Sequence, residues 1–338
     1  MLMIVMHHFV VHAMYGNTLN LAVSEGKWDE QLMLAMHCFF YIGVNCFVLL
    51  SGWFSIRLKP RSALNLWAIC FFYAVLCYVK KAIGLYLHGG GNVFSWVYVS
   101  KILFPISRSN YWFIICYVAL MLLSPILNAA IDSFNRRKYF GVLILITVMN
   151  VWFGYMWRVE QMNVTGYTTL QFIWLYLIGG YMRRYYSVDL LLKNRLKCIC
   201  IYISCSILWG LLTMLKAYHI RLPFWYPFTY CNPIVMAASI GFFLFVMSFS
   251  FKSHWVNWLA SSTLAVYLVQ EGLFPYSLLS EISATWSPSL KVLVLLLLSV
   301  VFMLVVLLLD KIRILIMKPL WRLYDRYLEP KLKLIRVF

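Results

Sequence analysis

Long apolar runs separated by short polar segments dominate the chain. Their lengths predict ten membrane-spanning helices, because a helix needs about 20 residues to cross the hydrocarbon core of a bilayer. The first run is shorter than that, so we expect this helix to be truncated at its N-terminus. The predicted spans are 1–15, 33–54, 64–84, 111–131, 139–156, 166–182, 196–215, 232–251, 258–277 and 290–310.

The composition also indicates a polytopic membrane protein. Of the 338 residues, 63% are hydrophobic and 12% are charged, which is about half the charged share of a soluble domain. We therefore predict an all-α bundle of about ten transmembrane helices within residues 1–310. A basic amphipathic tail, 311–338, is expected to lie on the anionic inner leaflet. We expect the nine cysteines to be apolar packing residues without disulfides.

The net charge of +18 predicts the orientation in the membrane. A basic chain can bind nucleic acid, but here most Lys and Arg residues lie in short loops, which is the pattern that orients membrane proteins. One alternating set of loops holds twenty of the 29 basic residues. This asymmetry predicts that those loops and both termini are cytoplasmic, and we expect no nucleic-acid partner.

Three histidines interrupt the first apolar run. His8 and His12 are four residues apart and share a helix face, whereas His7 points about 100° away. An ionisable residue at membrane depth indicates a functional site, and a histidine there can act as a general base. The alternatives are a structural hydrogen bond to a neighbouring helix and a metal site. We expect no metal, because the further histidines lie on scattered segments. These are His37, His88 and His254.

Basic residues follow the second span directly. Arg57, Lys59 and Arg61 would neutralise the phosphates of a nucleotide-bearing donor. The simpler interpretation is that they only orient the chain in the membrane. The residues alone do not decide between the two.

Two later spans carry polar groups at membrane depth. Ser124-Pro125 breaks the fourth span, and the freed carbonyl must be satisfied by protein or water. Asn128, one turn later, either satisfies it or lines a cavity. Glu271, in the ninth span, is costly unless it is paired, and His8 is one candidate partner.

Aromatic residues are frequent in the predicted outward loop 216–231. Tyr and Trp at such positions are ordinary interfacial residues of membrane proteins. A more specific interpretation is a platform for sugar rings, whose apolar C–H faces suit aromatic side chains.

Five segments, in the same order, resemble landmarks of the bacterial membrane acyltransferase-3 family, and together they cover nearly the whole chain. They are IVMHHF at 4–9, GVNCFVLLSGW at 43–53, YWFI at 111–114 with LSP at 123–125, LYLIGGY at 175–181, and STLAVYL at 262–268.

The resemblance implies ten core helices and transfer of an acyl group, usually acetyl, from cytoplasmic acyl-CoA to a hydroxyl, usually on an envelope or exported glycan. It places the essential histidine in the first helix, ten residues after an arginine that would precede Met1. His8 is the first choice for this histidine and His7 the second. Gln270 departs from the family, which often has histidine there.

From the residues and the resemblance together we expect a specific distribution of roles. The donor would be acetyl-CoA or another acyl-CoA, the acceptor a carbohydrate, and the location the inner membrane of a bacterium. The expected residues are His8 and His7 for catalysis, Arg57, Lys59 and Arg61 for the donor, and Tyr111, Trp112, Asn128 and Glu271 for substrate binding.

Two other classes of protein remain open at this point. A transporter or flippase for a glycan or lipid-linked intermediate would also have broken spans and buried polar residues. Against it, the halves 1–156 and 157–310 show no inverted repeat. A scaffold of a polysaccharide-export complex is the third possibility. CoA-dependent modification of an acceptor separates the transferase from both.

Overall fold

The computed structural model describes residues 1–14, 28–88, 90, 94–108, 111–250 and 252–334, without the side chains of residues 28, 29 and 332–334. All regular elements in these ranges are helical. Most of the acidic segment 16–32 lies outside the described residues.

The first half of the described chain contains eight α-helices and two π-helical segments. They are α1 (Leu2–His8), π1 (Phe9–Met14), α2 (Trp28–Phe40), α3 (Gly43–Phe54), α4 (Pro60–Leu87), α5 (Trp96–Leu103), α6 (Trp112–Ser133), α7 (Arg136–Val148), π2 (Met149–Met156) and α8 (Thr169–Tyr185).

The second half adds eight α-helices and a third π-helical segment. They are α9 (Val188–Lys193), α10 (Arg195–Ala217), α11 (Pro233–Met247), α12 (His254–Ala260), α13 (Thr263–Gly272), α14 (Tyr276–Ala284), α15 (Pro288–Leu323), π3 (Tyr324–Leu328) and α16 (Glu329–Leu334).

Six of the described helical segments are long and apolar enough to cross a membrane. Two apolar helical segments, Leu2–Met14 and Pro233–Met247, are shorter. The chain is therefore an all-α membrane protein, while ten spans and cytoplasmic termini stay predictions. The six segments are Glu30–Phe54, Pro60–Leu87, Trp112–Ser133, Arg136–Met156, Arg195–Ala217 and Pro288–Lys331.

Two predicted spans differ from the helices in the structure. The span 258–277 is interrupted between α12 and α13, where Ser261 turns its hydroxyl back to the carbonyl of Trp258 at 2.7 Å. Serine side chains that bond local backbone compete with helix continuation. The span 290–310 instead continues to Leu323. The division into a membrane domain, 1–310, and a tail stays a prediction.

The described residues divide between two compact units. Unit 1 comprises Met1–Arg57, Ala119–Lys252 and Tyr276–Ser299. Unit 2 comprises Leu58–Val118, Ser253–Pro275 and Val300–Phe338.

Glycines bring α3 and α8 into close contact in unit 1. A Cβ atom on Gly52 would overlap the carbonyl of Tyr176, and one on Gly179 would overlap the carbonyl of Leu49. Small residues at helix interfaces let backbones approach closely in a membrane, where dispersion contacts replace the hydrophobic effect as the driving force. Gly52 and Gly179, which lie in two of the segments quoted for the family resemblance, therefore have a packing role.

Buried amides tie the first turns of α3 and α8 together. Gln171 donates to Oδ1 of Asn45 at 3.3 Å and to the carbonyl of Tyr230 at 3.2 Å. The side-chain oxygen of Gln171, Oε1, accepts a hydrogen bond from Nδ2 of Asn163 at 2.6 Å. These three amide side chains are at most 1% exposed. Buried polar groups require such partners, so the network fixes the parallel arrangement of the two helices.

Arg57 and Arg195 of unit 1 lie at the same end of its helices. Asn45, in the first turn of α3, donates to Ser239 in the first half of α11, and Trp53, at the end of α3, packs on Phe243 in its second half. These helices therefore run parallel. Arg195 begins α10 and donates to the carbonyl of Ser248, just after α11 ends. Segments predicted to be cytoplasmic, including Arg57, therefore share this end.

The break predicted at Ser124-Pro125 is repaired within α6. Proline removes the N–H that would bond the carbonyl of Met121, four residues earlier. The buried Ser124 hydroxyl donates to that carbonyl at 2.7 Å instead. The helix continues through Pro125 to Ser133, and Asn128 is not needed for this carbonyl.

Unit 2 contains a buried ion pair that the sequence analysis missed. Arg313 donates from Nε and Nη2 to the two carboxylate oxygens of Asp310 at 2.6 and 2.8 Å. Tyr73 of α4 also donates to Asp310 at 2.8 Å. A charged pair in an apolar helix is tolerated when both members are bonded. In the sequence, this pair is indicated by the opposite charges of Asp310 and Arg313, three residues apart on one helix.

All nine cysteines lie in described segments, and none of them forms a disulfide there. Five are buried among apolar neighbours: Cys38, Cys70, Cys116, Cys198 and Cys231.

Candidate functional site

A pair of histidines joins α1 to α2 in unit 1. Nδ1 of His7 lies 2.6 Å from Nε2 of His37, and the two rings meet edge to edge in nearly one plane, with centroids 4.9 Å apart and planes 2° from parallel. His37 is 1% exposed. Two neutral imidazoles at this distance share one proton, so one ring donates and the other accepts. The pair therefore has two tautomeric states.

His8 and His12 lie side by side, as their spacing predicts. Their ring centroids are 5.4 Å apart, and His8 is buried while His12 is exposed. The helix changes from α to π directly after His8. Short π-helical segments are frequent at functional sites.

Aromatic rings surround the His7–His37 pair. Tyr41 meets the His7 ring edge-on at 5.2 Å and stacks on Tyr230 at 4.6 Å. Phe228 stacks on the other ring, His37, at 5.7 Å. The loop 216–231 thus reaches the histidines through its aromatic side chains, a contact that only the fold creates.

The segment after α3 is held by a closed hydrogen-bond cycle. The hydroxyl of Tyr176 accepts from the N–H of Ile56 at 3.0 Å and donates to Oδ1 of Asn128 at 2.6 Å. Asn128 Nδ2 in turn donates to the carbonyl of Ile56 at 2.8 Å. Both backbone groups of the residue before Arg57 are therefore fixed. Asn128 positions this segment.

The three basic residues after α3 are exposed, but they have different surroundings. In unit 2, Arg61 forms an ion pair with Asp325 at 2.6 Å and lies 5.9 Å from the centroid of Trp321. Arg57 belongs to unit 1, and Lys59 to unit 2. A basic side chain that is already paired offers less charge to a phosphate.

Tyr111 and Glu271 come together in unit 2. Both line a cavity of about 270 Å³, together with Cys77, Lys81 and Lys101. Glu271 is exposed to this space. Basic, acidic and phenolic groups thus converge on one cavity, which is the arrangement expected of a polar ligand site.

Trp112 has a different environment from its neighbour Tyr111. Its ring packs edge-on against Phe113, with centroids 6.0 Å apart. Trp112 is not among the residues that line the cavity of Tyr111 and Glu271, and its predicted role in substrate binding stays a prediction.

The chain belongs to the acyltransferase-3 family. The acyltransferase domain of that family matches residues 1–309, which include the histidines, the basic segment after α3 and the cavity of Tyr111 and Glu271. No curated protein and no solved structure matches the chain. The protein is therefore a membrane acyltransferase built on apolar helices.

Proposed function

We propose that the protein transfers an acyl group, most simply acetyl, from cytoplasmic acyl-CoA to a hydroxyl of an envelope or exported glycan, in the inner membrane of a bacterium. The observation that carries the proposal is the histidine cluster of α1, in which the half-buried His7 is bonded to the buried His37 and the buried His8 lies next to it. A general base at membrane depth is what deprotonation of a hydroxyl requires.

The reaction would proceed by direct attack. The acceptor oxygen bonds to the thioester carbonyl carbon as His8, or His7 in its place, takes the hydroxyl proton. The carbon–sulfur bond then breaks, and the CoA thiolate leaves with the proton that the imidazolium returns. A positioned base contributes about 10²- to 10⁴-fold to such a step.

The geometry of unit 1 supports a donor that enters from the Arg57 end. Met3 and Ile4 of α1 pack on Gly43, at the start of α3, and Arg57 follows the end of that helix. The 12 residues of α3 span about 18 Å at about 1.5 Å per residue. An extended pantetheine arm has a length of this order, so phosphates held near Arg57 would leave the thioester near the histidines.

The remaining predicted residues receive separate roles in this proposal. Arg57 and Lys59 hold the CoA phosphates, and Arg61 assists when it is released from Asp325. Asn128 positions Arg57 through Ile56. Tyr111 and Glu271 contact a substrate group in the cavity of unit 2. Trp112, which follows Tyr111 in the sequence, is proposed to assist them.

The test is acyl transfer by the purified full chain in detergent. CoA release from acetyl-CoA, with and without added glycan, would be followed for wild type, His8→Ala and His7→Ala. His254→Ala is the control, because His254 is an exposed histidine at the start of α12, in unit 2. We expect loss of about 10²-fold or more in at least one of the two cluster variants, and full activity in the control. Full activity in both cluster variants would refute the proposed base.

A further inference from the structure

A cavity of about 450 Å³ opens in unit 1 where α10 ends. Arg158 and Lys216 line it, and so does His219, in the loop that joins α10 to α11. Its described lining contains no Asp or Glu. The cavity therefore combines two positive charges with no local acidic counter-charge, which favours an anionic ligand.

Arg158 is held ready for such a ligand. Its guanidinium lies 4.1 Å from the centroid of the Tyr226 ring. One terminal nitrogen, Nη1, is buried and has no hydrogen-bond partner among the described residues. The residue also adopts a φ of 51°, in the left-handed region that non-glycine residues rarely occupy. Such local strain clusters at ligand sites, where the surrounding structure maintains it.

Lys216 adds a second cation on the same aromatic residue. Its ammonium group donates to the carbonyl of Trp225 at 2.9 Å and lies 5.7 Å from the centroid of Tyr226. An ammonium has three donors, so further hydrogen bonds remain possible for a ligand. Both cations therefore lie near the ring of Tyr226, and Lys216 also bonds the neighbouring residue of the same loop.

One aromatic ring connects this cavity to the histidine cluster. Phe228 lines the cavity and stacks on His37, with centroids 5.7 Å apart and planes inclined by 28°. His37 is the hydrogen-bond partner of His7. A ligand in the cavity would therefore contact Phe228, whose ring in turn contacts the hydrogen-bond partner of His7, one of the two proposed bases.

We propose that this cavity is the acceptor subsite and that it selects an acidic sugar, a glycan residue with a carboxylate or phosphate group. Arg158 and Lys216 bind the acidic group, Tyr226 and Phe228 offer apolar faces to the sugar ring, and a hydroxyl of the sugar points toward the histidines. This inference rests on the proposed function, because only an acyltransferase needs the acceptor at that place.

Three sugars of similar size test the charge preference. Binding of glucuronate, glucose 6-phosphate and glucose to the purified full chain would be measured by saturation-transfer NMR. We expect at least one acidic sugar to bind about tenfold or more tightly than glucose, since hydrogen bonds to charged groups are stronger than those between neutral groups. The two acidic probes distinguish a carboxylate from a phosphate preference. Equal binding of all three sugars would overturn the inference.

Arg158→Gln should remove the preference, and Arg158→Lys should keep part of it, because lysine retains the charge without the planar fork. Arg221→Gln is the matched control, an exposed arginine in the loop 216–231 that does not line the cavity. Unchanged binding in Arg158→Gln would contradict the assignment. Thermal unfolding of each variant shows whether it is folded.

Acetyl-CoA turnover in the same preparations separates the two proposals. Turnover that depends on His8 or His7, without any preference for acidic sugars, would refute the acceptor subsite and leave the transferase proposal intact. Selective binding of an acidic sugar without any use of acyl-CoA would support the anionic site and refute the proposed function.

Discussion

Nδ1 of His7 lies 2.6 Å from Nε2 of His37, with the two rings edge to edge in nearly one plane. When His7 donates in this bond, its own Nε2 keeps a lone pair and can accept a proton. When His37 donates, the proton of His7 is on Nε2 and that nitrogen cannot act as a base. His37 therefore influences which tautomer of His7 is populated, much as the orienting partners of other catalytic histidines do.

His37→Phe should keep the ring contact with Phe228 and remove the hydrogen bond to His7. Because His7 then loses the group that orients it, we expect kcat to fall by about tenfold or more if His7 takes part in proton transfer, within the about 10²- to 10⁴-fold that a positioned base contributes. KM for acyl-CoA should stay the same. His254→Phe is the control. Steady-state kinetics with unchanged kcat in His37→Phe would show that the pair is only structural.

Ser124 and Pro125 should be energetically coupled. Ser124→Ala leaves the carbonyl of Met121 without its partner, and we expect a loss of about 1–3 kcal/mol in the free energy of unfolding. In Ser124→Ala/Pro125→Ala, residue 125 regains an N–H that can bond this carbonyl, so the loss should be much smaller. Unfolding in detergent, measured for the full double-mutant cycle, gives the coupling. Additive effects would contradict it.

Gly52→Ala should separate α3 from α8. The new Cβ would overlap the carbonyl of Tyr176, and overpacking of a tight interface costs about 1–3 kcal/mol. Gly141→Ala is the matched control, because nothing lies within 4 Å of a Cβ at Gly141 in α7. There alanine should stabilise by about 0.5–1 kcal/mol. Thermal unfolding of both variants checks the contrast, and equal shifts would argue against glycine-mediated packing.

Asp325→Asn should release Arg61. The pair is about half exposed, so its loss should change stability by less than about 1 kcal/mol. If Arg61 assists the donor, KM for acyl-CoA should fall in this variant, because more positive charge is available to the phosphates. Asp132→Asn, which affects another exposed pair with Arg184, is the control. A KM that falls equally in both variants would point to a general charge effect.

Several features could be predicted because they depend on neighbours in the chain. Hydropathy marks the apolar helices, and the spacing of His8 and His12 places them on one helix face. The order of the short segments indicates the family that the match over residues 1–309 establishes. Helix ends were less predictable. The hydroxyl of Ser261 interrupts one span, and no strong breaker stops α15 at residue 310, so local polar bonds rather than hydropathy decide these limits.

Only the tertiary structure decided which polar groups meet. His37 was a scattered histidine in the sequence, yet it bonds His7 from 30 residues away. Asn128 was expected at a substrate, which stays a prediction, and the fold shows its hydrogen bond to the carbonyl of Ile56, 72 residues away. Periodicity reports which face of one helix is apolar, but it carries no information on the neighbour that covers that face. Helix crossings set by close-packed residues such as Gly52 and Gly179 determine these partners.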